Sequence, residues 1–303
     1  MRICRYSHKN EVGLGFYFDG CIVPFGKSIP AASVIDVLPH GGHYGTALTT
    51  WESLEHDGVD ASRETLDTAD VQLLAPVQHP GKILLLAGNY ADHIQEEGKV
   101  ALERAETFPY LFIKPGTCIN DPDAPVIIPR VNPDYVDYEA ELGVIIGKKG
   151  KHIAEADALD YVAGYTVIND ISDRKYKPNP DRKDRERDVF FDWQHGKWHD
   201  GFCPMGPCAV AATHFGDPGN HRVQLRVNGE LRQSALTGET IFSIGAIIEF
   251  ITRTMTLEPG DIIATGTPSG VGMAKGCYLR AGDNLTASIE GIGILNNRMA
   301  GEV

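Results

Sequence analysis

Two glutamates separated by one residue, Glu139 and Glu141 in Asp137-Tyr-Glu-Ala-Glu-Leu-Gly-Val-Ile-Ile146, carry the strongest chemical signal in the chain. Side chains alternate faces along a strand, so residues two apart project together, about 6.5–7 Å from one another. Ala140, Leu142, Val144 and Ile146 then take the opposite, core-facing side. Two carboxylates held this close repel, and water, a proton on one of them or a cation between them relieves the repulsion. Taken alone, the pair reads as a solvated strand face. Asp170 adds a third carboxylate where the apolar run Val162-Ala-Gly-Tyr-Thr-Val-Ile168 gives way to Asn169-Asp170-Ile-Ser-Asp-Arg174. An all-oxygen cluster suits a hard cation, Mg2+, Mn2+ or Ca2+, better than zinc, which prefers His and Cys. Mg2+ on three carboxylates keeps about three octahedral positions for a chelating oxo acid and a water.

A second candidate lies in Gly88-Asn-Tyr-Ala-Asp-His-Ile-Gln-Glu-Glu97. On a helix starting there, His93 and Glu96 share a face. A carboxylate beside an imidazole orients it and raises its basicity, the construction of a general base, although an ordinary exposed His–Glu pair has the same spacing. Thr265-Gly-Thr-Pro-Ser-Gly-Val-Gly272 lacks the lysine and spacing of a phosphate-binding loop, and Gly88-Asn-Tyr is no dinucleotide fingerprint. Both read as loops whose amides approach a small anion. His195 and His199 are spaced as a zinc pair, but Gly196 intervenes and no third ligand matches. The mixed-sign run Asp181 to Asp188 reads as a solvated loop.

These groups must be held by strands. The 303 residues include 33 Gly and 18 Pro, so turns recur at short intervals. Strands are expected at Lys82–Ala87, Tyr110–Lys114, Val126–Pro129, Tyr138–Gly147, Tyr161–Asn169, Asp261–Thr265 and Asn284–Glu290. Asn228-Gly229 marks a hairpin within Val223–Arg232. Ile244, Ile247, Ile248 and Ile251 predict an amphipathic helix over Ile241–Met255; a short helix is expected over Ile153–Asp160, and part of Trp51–Asp70 reads as helical. Helices do not alternate regularly with strands, which disfavours a doubly wound sheet and predicts an α+β, strand-rich roll or barrel. The Pro- and Gly-bearing segment Leu74–Gly81 predicts a small N-terminal domain over 1–76 and a catalytic domain over 77–303.

Lys plus Arg is 28 and Asp plus Glu is 41, a net charge of −13, and no Lys/Arg-rich block is present. Such a chain is a poor match for nucleic acid or anionic lipid. The N-terminus Met1-Arg-Ile-Cys-Arg-Tyr has no apolar leader core, and the apolar runs fall far short of the roughly 20 residues a spanning helix needs. Six scattered cysteines without a CxxC pair read as reduced thiols, and a cytoplasmic location is expected.

Six ordered motifs together resemble the fumarylacetoacetate hydrolase family, in its C-terminal catalytic domain. They are Gly88-Asn-Tyr-Ala-Asp-His93, Phe112-Ile-Lys-Pro115, Tyr138-Glu-Ala-Glu-Leu142, Gly164 to Arg174, Gly196-Lys197 ahead of Phe202-Cys-Pro-Met-Gly-Pro207, and Thr265 to Gly272. The resemblance implies a mixed β-sandwich roll, a homodimer, and Mg2+- or Mn2+-dependent action on 2-oxo and 1,3-diketo acids. It implies Glu139, Glu141 and Asp170 as metal ligands, His93 with Glu96 as a water-activating dyad on a lid helix, and Lys197 facing an oxyanion. Arg174, Lys114, Thr267 and Tyr90 match substrate-contacting positions. Lys175-Tyr-Lys-Pro-Asn-Pro180 replaces the family's usual glutamine segment, with Gln194 as a substitute, and an insertion spans residues 178–188. Leu86 stands where the full-length animal hydrolases carry a further aspartate, which points to the shorter bacterial-type branch. The implied activity is hydrolysis of acylpyruvate-like substrates, with isomerase, hydratase or oxaloacetate decarboxylase chemistry as the alternative and a non-catalytic acid-binding dimer as a third reading.

Overall fold

The computed structural model describes residues 1–59 and 64–302. It opens with a meander, β1 (Arg2–His8), β2 (Glu11–Phe18) and β3 (Cys21–Pro24), followed by helix α1 (Tyr44–Asp57), which buries Ala47, Trp51 and Leu54 at helical spacing. This helix begins ahead of the stretch expected to be helical, 51–70, of which residues 60–63 lie outside the described residues. Then come β4 (Leu66–Asp67), β5 (Gln72–Leu74), β6 (Ile83–Ala87), α2 (Ala91–Glu96), β7 (Tyr110–Ile113), β8 (Ile119–Asn120), β9 (Val126–Ile128) and β10 (Val136–Asp137). The central pair β11 (Ala140–Ile146) and β12 (Val162–Asn169) precedes β13 (Ser172–Asp173), α3 (Asp188–His195), β14 (Cys203–Ala211) and the single turn α4 (Ala212–Phe215). The chain closes with β15 (Arg222–Val227), β16 (Glu230–Leu236), α5 (Ile244–Thr254), β17 (Ile262–Ala264), α6 (Gly272–Lys275), β18 (Asn284–Ile289) and β19 (Gly293–Gly301).

The large sheet runs β4-β3-β2-β1-β14-β12-β11-β17-β6-β7, with β5 added on β1 and β8 on β14. A five-stranded sheet, β16-β15-β18-β19-β9, packs over β11 and β12, and β10 pairs with β13. Parallel pairings β6–β17, β8–β14 and β9–β19 occur among otherwise antiparallel neighbours. The fold is therefore an α+β, strand-rich mixed β-sandwich roll. β1 lies antiparallel on β14, so the first strands extend the sheet that carries the central pair.

Two apolar clusters flank this sheet. One holds Leu142, Val144 and Ile146 with Val223, Leu225, Ile247 and Ile251; the other holds Ile145, Ala163 and Ile168 with Ile3, Phe16 and Trp51. β11 is thus buried on both faces along its whole length, which corrects the half-solvated strand expected from alternation. The strand also begins at Ala140 rather than Tyr138, leaving Glu139 just before it. α5 starts later than its apolar pattern suggests: Ser243 caps it by accepting the Ala246 N–H, while Ile241 and Phe242 donate their N–H groups to Asn89. The expected helix near 153–160 is a 3-10 stretch, Glu155–Tyr161. β19 escaped the strand pattern because Asn297 fills one of its inward positions, its amide donating to the carbonyls of Asp121 and Ala124.

Ile145 is fully buried where β11 meets β12 and β17. Ile145→Ala should cost about 2–5 kcal/mol of unfolding free energy. Urea denaturation monitored by tryptophan fluorescence checks this.

Candidate metal and substrate site

The end of β12 and the start of β11 are tied to each other before any side chain of the site is considered. The Asp170 N–H donates to the Glu139 carbonyl at 2.8 Å, and the Glu139 N–H donates to Asn169 Oδ1 at 3.0 Å. These bonds set Glu139 and Asp170 side by side, with Glu141 one step along β11. Oxygens of the three carboxylates lie within 4.8 Å of one another, and all three side chains are buried.

Cations surround them. Lys197 Nζ donates to Glu139 Oε2 at 2.8 Å and to Asp170 Oδ2 at 2.6 Å. Lys114 Nζ sits 2.7 Å from Asp170 Oδ1, and Arg174 pairs with both Glu139 and Asp137. Burial alone would raise the Glu139 carboxyl, but Arg174 and Lys197 outweigh it and hold the group well below the usual carboxylate range. Glu141 goes the other way: burial, then the charges of Asp170 and Glu139, push it well above that range. Its Oε2 accepts the Gly266 N–H at 2.7 Å, while Oε1 is buried without a partner. That orphaned oxygen and the all-oxygen donor set fit a hard divalent cation at Glu139, Glu141 and Asp170.

Backbone placement explains how the surrounding groups arrive. Gly196 packs so tightly on the Asp173 carbonyl that a Cβ there would lie 2.1 Å from it, which lets α3 end in the pocket and deliver Lys197. The Lys197 ammonium lies over the Phe112 and Trp193 rings. Gly266 adopts φ +96°, and a side chain there would strike Asn89. The run Asp181–Asp188 is more organised than a solvated loop: Arg182 pairs with Asp188 and Asp192, bracing α3, and Asp188 is buried.

His93 is buried on α2, its Nδ1 2.8 Å from Glu96 Oε1. The other Glu96 oxygen accepts the Gly270 N–H at 2.7 Å, pinning α2 to the glycine-bearing loop. At the front of α2, Asn89 donates to the carbonyls of Phe242 and Thr265.

The remaining positions are engaged differently. Lys114 spends its ammonium on Asp170 and on the carbonyls of Ile171 and Phe202, so it braces Asp170 and keeps no donor for a ligand. Thr267 Oγ1 donates to the Ala140 carbonyl and accepts from Gln233 Nε2. The Tyr90 hydroxyl donates to the Leu236 carbonyl at 3.3 Å, and the ring lies close enough to Glu141 to feel its charge. His199 stands 3.4 Å from Asp173. Sequence reasoning missed Asp137, which accepts from Arg174, Gly272 N and Met273 N, and Gln233, which joins Ala140 to Thr267. Asp137 stood inside a quoted motif; Gln233 carried no local signal.

A family profile described as "Fumarylacetoacetate (FAA) hydrolase C-terminal" matches residues 82–300. "Oxaloacetate tautomerase Fahd2a, mitochondrial" of Rattus norvegicus is 35% identical over 307 residues, covering 99% of this chain and 91% of its own. The solved fumarylacetoacetate hydrolase of Exiguobacterium antarcticum matches with a TM-score of 0.80 at 34% identity, over 100% of both chains. Maleylpyruvate hydrolase of Sphingobium sp. SYK-6, solved in complex with manganese(II) and pyruvate, gives 0.77 at 28% identity, again over 100% of both.

Titration calorimetry with Mn2+ should show one site per chain. Glu141→Ala should weaken it by more than the roughly 10–100-fold that outer-sphere changes cost. The dyad supplies a pH dependence. Burial raises Glu96, but the bonds from His93 and Gly270 outweigh it and leave the carboxyl below its ordinary value. A carboxyl depressed by folding stabilises the native state above its unfolded pKa, and that contribution is lost as pH falls through the folded value. The melting-temperature gap between wild type and Glu96→Gln should therefore hold steady near pH 7 and close below about pH 4.

Proposed function

The chain belongs to the fumarylacetoacetate hydrolase family, and from that premise we propose that it is a divalent-cation-dependent hydrolase cleaving a carbon–carbon bond in acylpyruvate-type diketo acids. The observation that carries this reading is the dyad of buried His93 and half-buried Glu96 beside the carboxylate cluster. Glu139, Glu141 and Asp170 would hold the cation, Mg2+ or Mn2+, whose chemistry there is Lewis-acid stabilisation of negative charge developing on the 2-oxo oxygen. Lys197 adds a donor to the same oxygen, its Nζ already aimed between Glu139 and Asp170. With Nδ1–H donated to Glu96, His93 offers Nε2 to take a proton from water. The hydroxide attacks the distal carbonyl, the carbon–carbon bond breaks, and its electron pair leaves as the enolate of pyruvate, which is then protonated.

A second reading keeps the same groups and dispenses with water. His93 then moves a proton between carbon and oxygen in a keto–enol exchange. The rat relative, named as an oxaloacetate tautomerase and similar along nearly the whole chain, favours it. We further propose a homodimer acting on a small 2-oxo or diketo acid in the cytoplasm, without nucleic acid or membrane partners. Among the described residues no helix is long and apolar enough to cross a membrane.

Pyruvate release from acylpyruvates should require added Mg2+ or Mn2+, stop with EDTA, and fall by about 10²–10⁴ in His93→Ala. Coupled lactate dehydrogenase assays measure it. Enol–keto conversion of oxaloacetate, followed by ultraviolet absorbance without pyruvate release from any diketo acid, would replace hydrolysis with the second reading.

A further inference from the structure

The ladder between β11 and β17 stops one step short of the carboxylate pair. Its last bond runs from the Thr265 N–H to the Leu142 carbonyl, and Gly266, at φ +96°, then turns the chain away. Ala140, between Glu139 and Glu141, is fully buried, and β17 reaches neither its N–H nor its carbonyl. A buried peptide needs both groups paired.

Two side chains take the strand's place. The Ala140 N–H donates to Gln233 Oε1 at 3.0 Å, and the Ala140 carbonyl accepts from Thr267 Oγ1 at 3.0 Å. Gln233 Nε2 donates to Thr267 Oγ1 at 2.8 Å, which closes a ring around Ala140, and to the Pro268 carbonyl at 2.7 Å. Gln233 stands on β16 of the five-stranded sheet and is buried. Its oxygen faces a group that can only donate and its nitrogen faces a carbonyl that can only accept, so the orientation of the amide is fixed. The Thr267 hydroxyl has one proton, and it is committed to Ala140.

The backbone held by this ring governs how the flanking carboxylates diverge, because the side chains on either side of one strand residue leave on the same face. Mg2+ demands near-ideal octahedral geometry, whereas Ca2+ accepts irregular oxygen sets, so stiffly held ligands favour the smaller ion. Resting on the cation-site reading above, we infer that Gln233, acting with Thr267, is a positioning residue: it fixes the spacing of Glu139 and Glu141 and thereby sets which divalent ion the cluster prefers.

The test is titration calorimetry of the full chain with Mn2+, followed by displacement of the bound Mn2+ with Mg2+ or Ca2+. Gln233→Met keeps the length of the side chain but offers neither the amide N–H groups nor the oxygen. It should weaken Mn2+ binding roughly 10- to 100-fold and move the balance between Mg2+ and Ca2+ toward Ca2+. Thr267→Val should do the same, and Thr267→Ser, which keeps the hydroxyl, should restore the wild-type balance. Ile145→Ala opens a cavity elsewhere on β11, so it should lower the melting temperature and leave the ion balance unmoved. Wild-type Mn2+ affinity in Gln233→Met, or an equal loss of all three ions, overturns the inference. So does an Ile145→Ala protein that shifts the balance as far, or a Thr267→Ser protein that behaves like Thr267→Val; the Thr267 pair decides the matter if Gln233→Met does not fold. If wild type takes up no Mn2+, the cation-site reading itself fails, and the inference falls with it.

Discussion

Buried charge balance governs this structure. Asp137, Glu139, Glu141 and Asp170 are out of water, and Lys114, Arg174 and Lys197 are buried against them. Each buried ion costs several kcal/mol of lost hydration, and removing one partner of such a pair typically costs 3–5 kcal/mol because the other is stranded. Four acids against three bases leaves an excess, and it collects on Glu141, the one member of the Glu139–Glu141–Asp170 cluster without a basic partner at hydrogen-bond distance. The polar interior is therefore incomplete as a closed protein network, and a divalent cation, which this donor set fits, would relieve the excess.

Much of the scaffold exists to hold that balance. Asp137 gathers Arg174 together with the N–H groups of Gly272 and Met273, so the pair β10–β13 and the glycine-bearing loop share one carboxylate. Gln233 performs a similar service between β11, Thr267 and the five-stranded sheet. α2 is fastened at its front by Asn89 and at its back by Glu96, so the dyad and the loop are tied together. A helix of one and a half turns has little stability of its own. Its order comes from these tethers, and they are polar.

What the sequence discloses follows from how local each signal is. The carboxylate pair, the terminal aspartate and the His–Glu spacing all lie within short windows, and the structure does bring Glu139, Glu141 and Asp170 together and His93 onto Glu96. The two-sided burial of β11 was hidden because its second covering layer comes from Ile3, Phe16 and Trp51, more than eighty residues away. The engagement of Lys114 with Asp170 was equally out of reach, since its acceptors belong to β12's end and to Phe202. Asn297 hid β19 because burial of an amide depends on carbonyls elsewhere in the chain. Residue type and period carry the element; the partner across space carries its role.

The pairing of β1 with β14 has a bearing on how this protein can be handled. β14 lies directly beside β12, whose end presents Asp170. Trimming away the first strands would bare a row of unsatisfied amides and carbonyls, along with the apolar layer that Ile3, Phe16 and Trp51 cover. Such an open margin is a template for another chain's backbone. A shortened version would be lost to self-association in the test tube rather than yield a minimal catalyst.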